Sequence, residues 1–199
     1  MPGYELIGKE ERDAVNKIFD DGGILFHRAF ENVRKNFYVR EVGTKFENYF
    51  NSKNCSAVSS GTAAVKCALK ACGIKDGDEV ITQAFNFVAC VEAIVDLGAK
   101  PVICNVDDNL HLDLEDLESK ITKKTKAVLA VPMLGLGGPI LELKNLCNQY
   151  NIPLIEDACE IVGGIVDDKY IGTIGDIGIF SLDFAKNITC GEGGITLTD

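Results

Sequence analysis

Tryptophan is absent from this 199-residue chain, and histidine occurs only at His27 and His111. Neither histidine lies near a pair of cysteines, so the ligand spacing of a zinc site is missing and no metal is expected. Cysteine is not scarce, with eight residues, but no two stand in C-x-x-C spacing. Cys67, Cys90, Cys147 and Cys159 fall inside runs that read as core, and a chain of this length buries a core without staples. Reduced, mostly buried thiols in a cytoplasmic protein are expected rather than a disulfide framework. Basic residues are in deficit, 20 Lys and Arg against 30 Asp and Glu, for a net charge of −10. That balance argues against a nucleic-acid binder, whose affinity rests on Lys and Arg neutralising phosphates. It leaves room for a small anion in one local pocket. No apolar run approaches the length of a membrane span. The opening stretch MPGYELIGKEERDA is polar and lacks the apolar centre of a signal peptide.

What is present is a core-forming composition, with 46% hydrophobic residues, which excludes disorder. Residues 9–20 carry helical spacing, with Ala14, Val15, Ile18 and Phe19 on one side. Gly22 and Gly23 end that helix. Residues 28–40 are rich in aromatic and basic side chains, and a second helix is predicted over 41–51, with Val42, Phe46 and Phe50 on one face. From residue 54 the pattern changes to short apolar runs alternating with amphipathic stretches. Strands are predicted over 55–60, 79–83, 101–106, 127–132, 153–158, 178–182 and 193–198. Helices are predicted over 62–72, 87–97, 113–121 and 140–150. In 113–121, Asp113 is the expected N-cap, and Leu114, Leu117 and Ile121 face the core. Strands too apolar to alternate are buried on both faces, which with intervening helices means an α/β fold around a mostly parallel seven-stranded sheet. Only a Gly-rich turn separates the last two runs, so one of them is expected to run antiparallel. No internal repeat or low-complexity segment is visible.

In such a sheet, ligands gather at the carboxyl ends of the strands, and four groups of residues fall there. The first is Ser59-Ser60-Gly61-Thr62-Ala63-Ala64, between a strand and a helix. Gly61 permits an unusual backbone angle or a close approach. The N–H groups of Thr62 and Ala63 at the helix start, with the Thr62 hydroxyl, suit an anion. The stretch is neither a P-loop nor a G-x-G-x-x-G turn, which excludes a plain dinucleotide-binding dehydrogenase. An ordinary N-cap explains it equally. The second is Ile155-Glu156-Asp157-Ala158, ending an apolar strand. A carboxylate buried there needs a cationic partner: Asp157 can meet a protonated ring nitrogen or a protein Lys or Arg. The third is Phe180-Ser181-Leu182-Asp183-Phe184-Ala185-Lys186-Asn187, followed by the turn Gly191-Glu192-Gly193-Gly194. A lysine in apolar surroundings gives up its proton more readily and can attack a carbonyl; a surface lysine on a turn is the plainer alternative. The fourth is Phe87, opening a helix, a ring that can stack on a planar heterocycle or join the core. A phosphate cup, a stacking ring, an acid for a ring nitrogen and a lysine together are what pyridoxal 5'-phosphate (PLP) demands.

The stretches SSGTAAVKCALKACGIKDGDEVI, GAKPVICNVD, IPLIEDACE and GDIGIFSLDFAKNITCGEGG resemble the DegT/DnrJ/EryC1/StrS sugar aminotransferases, PLP enzymes of the aspartate-aminotransferase-like fold. The likeness spans roughly residues 55–196, and the block carrying Lys186 and the GEGG turn is its most specific part. The resemblance implies that Lys186 holds PLP and shuttles a proton, and that Asp157 pairs with the pyridinium nitrogen. It places Phe87 at the stacking position and Gly61, Thr62, Ala63 and Ser181 around the phosphate. Glu160 stands where the family usually has Gln or His near the PLP hydroxyl, Asp183 replaces a frequent His, and Met133 replaces another. The implied reaction moves an amino group, typically from glutamate, to a nucleotide-linked keto-sugar. The implied partner is a second subunit, as homodimer or complementing polypeptide. The expected organisation is an N-terminal helical arm over 1–53 and a PLP-binding large domain over 54–199. Family members continue into a smaller C-terminal domain, so a fragment, a split enzyme or a truncated product is expected. Two other readings remain: a sugar dehydratase of the same family, in which His replaces the lysine, and a PLP-binding or dimerisation module without activity of its own.

Overall fold

The structure, a computed structural model, describes residues 3–26, 31–33 and 36–199. His27 and part of the aromatic and basic stretch lie outside the described residues. Seven strands form one sheet: β1 (Asn54–Val58), β2 (Glu79–Gln83), β3 (Lys100–Cys104), β4 (Thr125–Ala130), β5 (Leu154–Asp157), β8 (Ile177–Ser181) and β9 (Gly194–Thr198). A separate hairpin of β6 (Ile165–Val166) and β7 (Lys169–Tyr170) follows β5. The sheet order is β1-β9-β8-β5-β4-β2-β3. Neighbouring strands from β8 to β3 run parallel, and β9 alone is antiparallel, to both β8 and β1. This matches the predicted sheet, with the antiparallel strand at the Gly-rich turn.

Burial on both faces holds in the centre, where every residue of β2 and β5 is buried. It fails at the edges: β1 and β3 are only partly covered, and Ile103 is 44% exposed. An edge strand has a neighbour on one side only, so its helices overhang it incompletely.

Among the described residues, six helices accompany the sheet: α1 (Lys9–Asp20), α2 (Tyr38–Phe50), α3 (Gly61–Ala71), α4 (Val88–Asp96), α5 (Leu114–Lys120) and α6 (Ile140–Tyr150). Strand alternation sorts them onto two faces. Val80, Leu129, Ile155 and Ile179 pack with α3 and α4. Ile81, Val128 and Leu154 point the other way, into α5 and α6. Phe180, Ile195 and Leu197 gather with Phe50, Phe46 and Val42 of α2. The predicted apolar face of α2 is thereby paired. That of α1 is not, for Val15 and Phe19 remain 53% and 60% exposed and no residue of α1 is buried.

Asp113 caps α5 as expected: its Oδ1 accepts from the amides of Glu115 at 2.9 Å and Asp116 at 3.0 Å. Replacing Asp113 with Ala is expected to cost about 1 kcal/mol, read by chemical denaturation. Among the described residues, no helix is long and apolar enough to cross a membrane.

All eight cysteines are free. Cys90 and Cys147 are buried, but Cys67, expected in the core, is exposed on α3. Helical spacing explains it: Ala64, Val65, Ala68 and Leu69 take the inward face of α3, leaving position 67 outside.

Candidate active site

The strand alternation that sorts the helices also separates the two adjacent acids of β5. Asp157 shares the face of Ile155, toward α3 and α4, whereas Glu156 shares the face of Leu154. Glu156 is fully buried, and its carboxylate accepts from the amides of Gly172 at 2.9 Å, Ile174 at 2.7 Å and Gly175. Burial pushes its carboxyl above the usual range, while these three amides pull it back. Glu156 therefore ties down the 172–175 loop. The substitution Glu156→Gln turns one acceptor into a donor facing an N–H, and is expected to cost about 1–3 kcal/mol of folding stability, measured by denaturant titration.

Asp157 lies instead beneath a cleft of about 340 Å³, lined by the carboxyl ends of the central strands and the loops that follow them. The cleft collects Gly61 and Thr62 after β1, Phe87 after β2, Met133 after β4, Asp157, Cys159 and Glu160 at and after the end of β5, and Ser181, Asp183 and Lys186 at and after β8. Its size falls within the range of small-molecule sites. Residues from five separate sequence stretches thus meet in one place.

Lys186 follows a short turn in which its amide donates to the Asp183 carbonyl at 3.0 Å. Its own carbonyl accepts from the Gly3 amide at 2.6 Å, and the rings of Tyr4 and Phe184 lie 6.1 Å apart, so the N-terminal segment docks on the lysine loop. Among the described residues, no acid forms an ion pair with the Lys186 ammonium. Asp157 is only 5% exposed, and its partners are the Cys90 thiol at 3.1 Å and the Cys159 amide at 3.2 Å. Among the described residues no Lys, Arg or His pairs with it. The protein salt bridge considered for Asp157 is absent among the described residues, and a buried carboxylate is left facing an open cleft without a paired cation.

The turn after β1 corrects one expectation. The Ala63 amide does not face the cleft: Ser60 Oγ accepts it at 3.1 Å, as an ordinary N-cap. Ala63 is thus withdrawn from the anion-facing set, because a side-chain cap consumes the amide that the helix start would have offered. Thr62 remains on the cleft wall. Gly61 serves close approach rather than an unusual angle, for a Cβ there would lie 3.0 Å from Ser181 Cβ and 3.1 Å from Cys159 Sγ. Phe87 is 62% exposed, so its ring belongs to the cleft rather than the core. Glu160 is exposed, and its carboxylate accepts from the Leu134 amide at 2.7 Å. It thereby fixes the Met133–Gly135 turn on the cleft wall, with Leu134 in the left-handed region at φ 58°.

Sequence reasoning missed Cys90 as a partner of Asp157, Glu192 on the cleft wall and Gly3 under the lysine loop. The spacing of Cys90 with Ala93 and Ile94 was a signal that its side chain faces the sheet. The Gly3 contact leaves none, since it joins segments over 180 residues apart.

Comparison with known proteins agrees with this fold. The chain is 37% identical over its full length to GDP-perosamine synthase of Vibrio cholerae, covering 53% of that protein. It thus spans about half the length of the curated relatives it matches. An aminotransferase from Psychrobacter cryohalolentis superposes with a TM-score of 0.88 at 30% identity, over 96% of this chain and 47% of the other. The E. coli GDP-4-keto-6-deoxy-D-mannose-3-dehydratase, solved with bound hydrated PLP, gives 0.85 at 29% identity, over 97% of this chain and 49% of the other. The sequence pattern of one family matches residues 9–199, and the chain belongs to that family, the DegT/DnrJ/EryC1/StrS aminotransferases.

Proposed function

We propose that this chain is the cofactor-binding part of a PLP-dependent aminotransferase that moves an amino group, from glutamate, to a nucleotide-linked keto-sugar. The observation that carries the reading is Asp157: a buried acid that no Lys, Arg or His among the described residues pairs with, opening on the same cleft as a Lys186 that makes no ion pair among them. A buried charge without a counter-charge is costly, and a protonated ring nitrogen supplies the missing partner. The names of the curated relatives direct the substrate toward a GDP-linked sugar.

In this reading Lys186 anchors PLP, Asp157 meets the ring nitrogen, and Phe87 stacks on the ring. Thr62, Ser181 and the close-packed Gly61 receive the phosphate, helped by the N-terminal dipole of α3. PLP supplies an electron sink for charge developing on the substrate carbon. The protein does the rest. Asp157 keeps the ring nitrogen protonated. Lys186 Nζ takes the proton from the substrate carbon and returns it to a neighbouring atom. Glu160, engaged with the Leu134 amide, shapes the cleft wall. A lysine at position 186 favours transamination over the dehydratase reading, in which a histidine stands there.

Phe87, Val88, Leu134, Phe184 and Ile188 are each at least half exposed around the cleft mouth or the lysine loop. A second copy of the chain, or a complementing polypeptide, is proposed to cover them and to complete the phosphate site. A cytoplasmic location fits the eight free thiols.

The test is titration of the purified chain with PLP, then borohydride reduction and peptide mapping. A visible absorption band and a cofactor fixed to the peptide carrying Lys186 support the reading. A cofactor fixed at another lysine overturns it.

A further inference from the structure

Asp157 is held by sulfur. The Cys90 thiol, itself fully buried, donates to Oδ2 at 3.1 Å. The Cys159 amide donates to the other oxygen, Oδ1, at 3.2 Å. Cys159 Sγ is packed under the first turn of α3, where a Cβ on Gly61 would come within 3.1 Å of it. A carboxylate this buried depends on its donors. A thiol is a weak donor to a neutral acceptor, and an ionised acceptor strengthens the bond.

Burial, and next the Asp157 charge, push both thiols far above the usual range. The Lys186 ammonium facing Cys159 pulls the other way without reversing this. Both sulfurs therefore remain S–H at neutral pH, able to donate and unable to act as thiolate nucleophiles. The charged groups around Asp157 are Lys186 from the loop after β8 and Glu160, Asp183 and Glu192 on the cleft wall. None of the acids can donate while ionised, which among the described residues leaves the Cys90 thiol, with the amide and thiol of Cys159, as the donors to Asp157.

We propose that Cys90 is a positioning residue: its S–H, with the Cys159 amide, fixes the Asp157 carboxylate in the orientation it presents to the cleft. The target of that carboxylate, the PLP ring nitrogen, rests on the function proposed above. The sulfur contact itself belongs to the protein alone.

Two measurements on the purified 199-residue chain separate these. Infrared spectra of the cofactor-free protein cover the S–H stretch, which lies clear of other protein bands. The difference between wild type and Cys90→Ala is expected to show a down-shifted S–H band, and Asp157→Ala is expected to move that band up to the free-thiol position. A band already at the free-thiol position, unmoved by Asp157→Ala, overturns the contact. PLP titration follows. Cys90→Ala is expected to weaken Kd roughly three- to tenfold and Cys90→Ser to restore it to within about twofold. A Kd in Cys90→Ala equal to wild type overturns the positioning role. Should Cys90→Ala fail to fold, Cys90→Ser supplies the infrared difference, and Cys90→Val, without a donor, supplies the affinity comparison. A wild-type chain that binds no PLP defeats the proposed function, while the infrared result still decides the sulfur contact.

Discussion

Replacement of Lys186 with Ala is expected to abolish covalent capture of PLP and to lower amino-group transfer by about 10³-fold or more. The loss follows from how the residue is set. Its backbone is pinned on both sides, to the Asp183 carbonyl and to the Gly3 amide, while no acid forms an ion pair with its ammonium. Among the described residues, nothing else on the cleft wall is a primary amine. Lys186→Arg is expected to fail as fully, because a guanidinium stays charged and cannot attack a carbonyl. Neither change touches the core, so folding stability of the cofactor-free chain is expected to stay within about 0.5 kcal/mol. Mass mapping after borohydride reduction checks the first effect, and single-turnover transfer from glutamate to a GDP-linked keto-sugar checks the second. Transfer that survives within tenfold removes Lys186 from this role.

The largest expected loss of stability lies elsewhere, at Gly178 in β8. A methyl there would enter the van der Waals radius of the Gly172 carbonyl oxygen and stand 2.6 Å from its carbon and 2.8 Å from Cα. Neither side can retreat. Residue 178 pairs with Glu156 of β5 on one edge and Leu197 of β9 on the other. Gly172 is tied to the buried Glu156 carboxylate and touches the Phe180 ring. Gly178→Ala is expected to cost about 3 kcal/mol or more, which for a domain of this size lowers Tm by roughly 6–12 °C. Denaturant unfolding with an unchanged m-value checks it. A loss below about 1 kcal/mol would show that the 172–175 loop yields.

The sheet was legible because its central strands are buried on both faces and therefore read as unbroken apolar runs, as in the wholly buried β2 and β5. Asp113 was legible as a cap because capping is local. Lys186, Asp157, Phe87 and Thr62 stood out at the strand ends, the family resemblance added Ser181, and the structure brings all five to one cleft. What stayed hidden depended on fine geometry. Whether the Ala63 amide serves an anion or Ser60 turns on one side-chain torsion. Which of two adjacent carboxylates opens on the cleft turns on strand phase, which pattern alone does not set. Cys90 looked like one more small apolar residue, and only the start of α4 against the end of β5 gives it a polar partner. The short β6–β7 hairpin has two residues per strand, too few for periodicity to register.

The single antiparallel strand has a consequence for how the protein is made. Among the described residues, β1 has one neighbour, β9, and pairs Asn54 with Thr198 and Val58 with Gly194. As the chain leaves the ribosome, β2 to β5 and β8 can assemble against one another while β1 waits for its partner. The turn proposed to receive the phosphate, Ser60 to Thr62, hangs from that waiting strand, so the cleft it lines is completed only once β9 has been synthesised. Closing so distant a pair is slow compared with local helix formation. An arrest series that exposes successively longer nascent chains is expected to show PLP capture only after residues 194–198 have emerged.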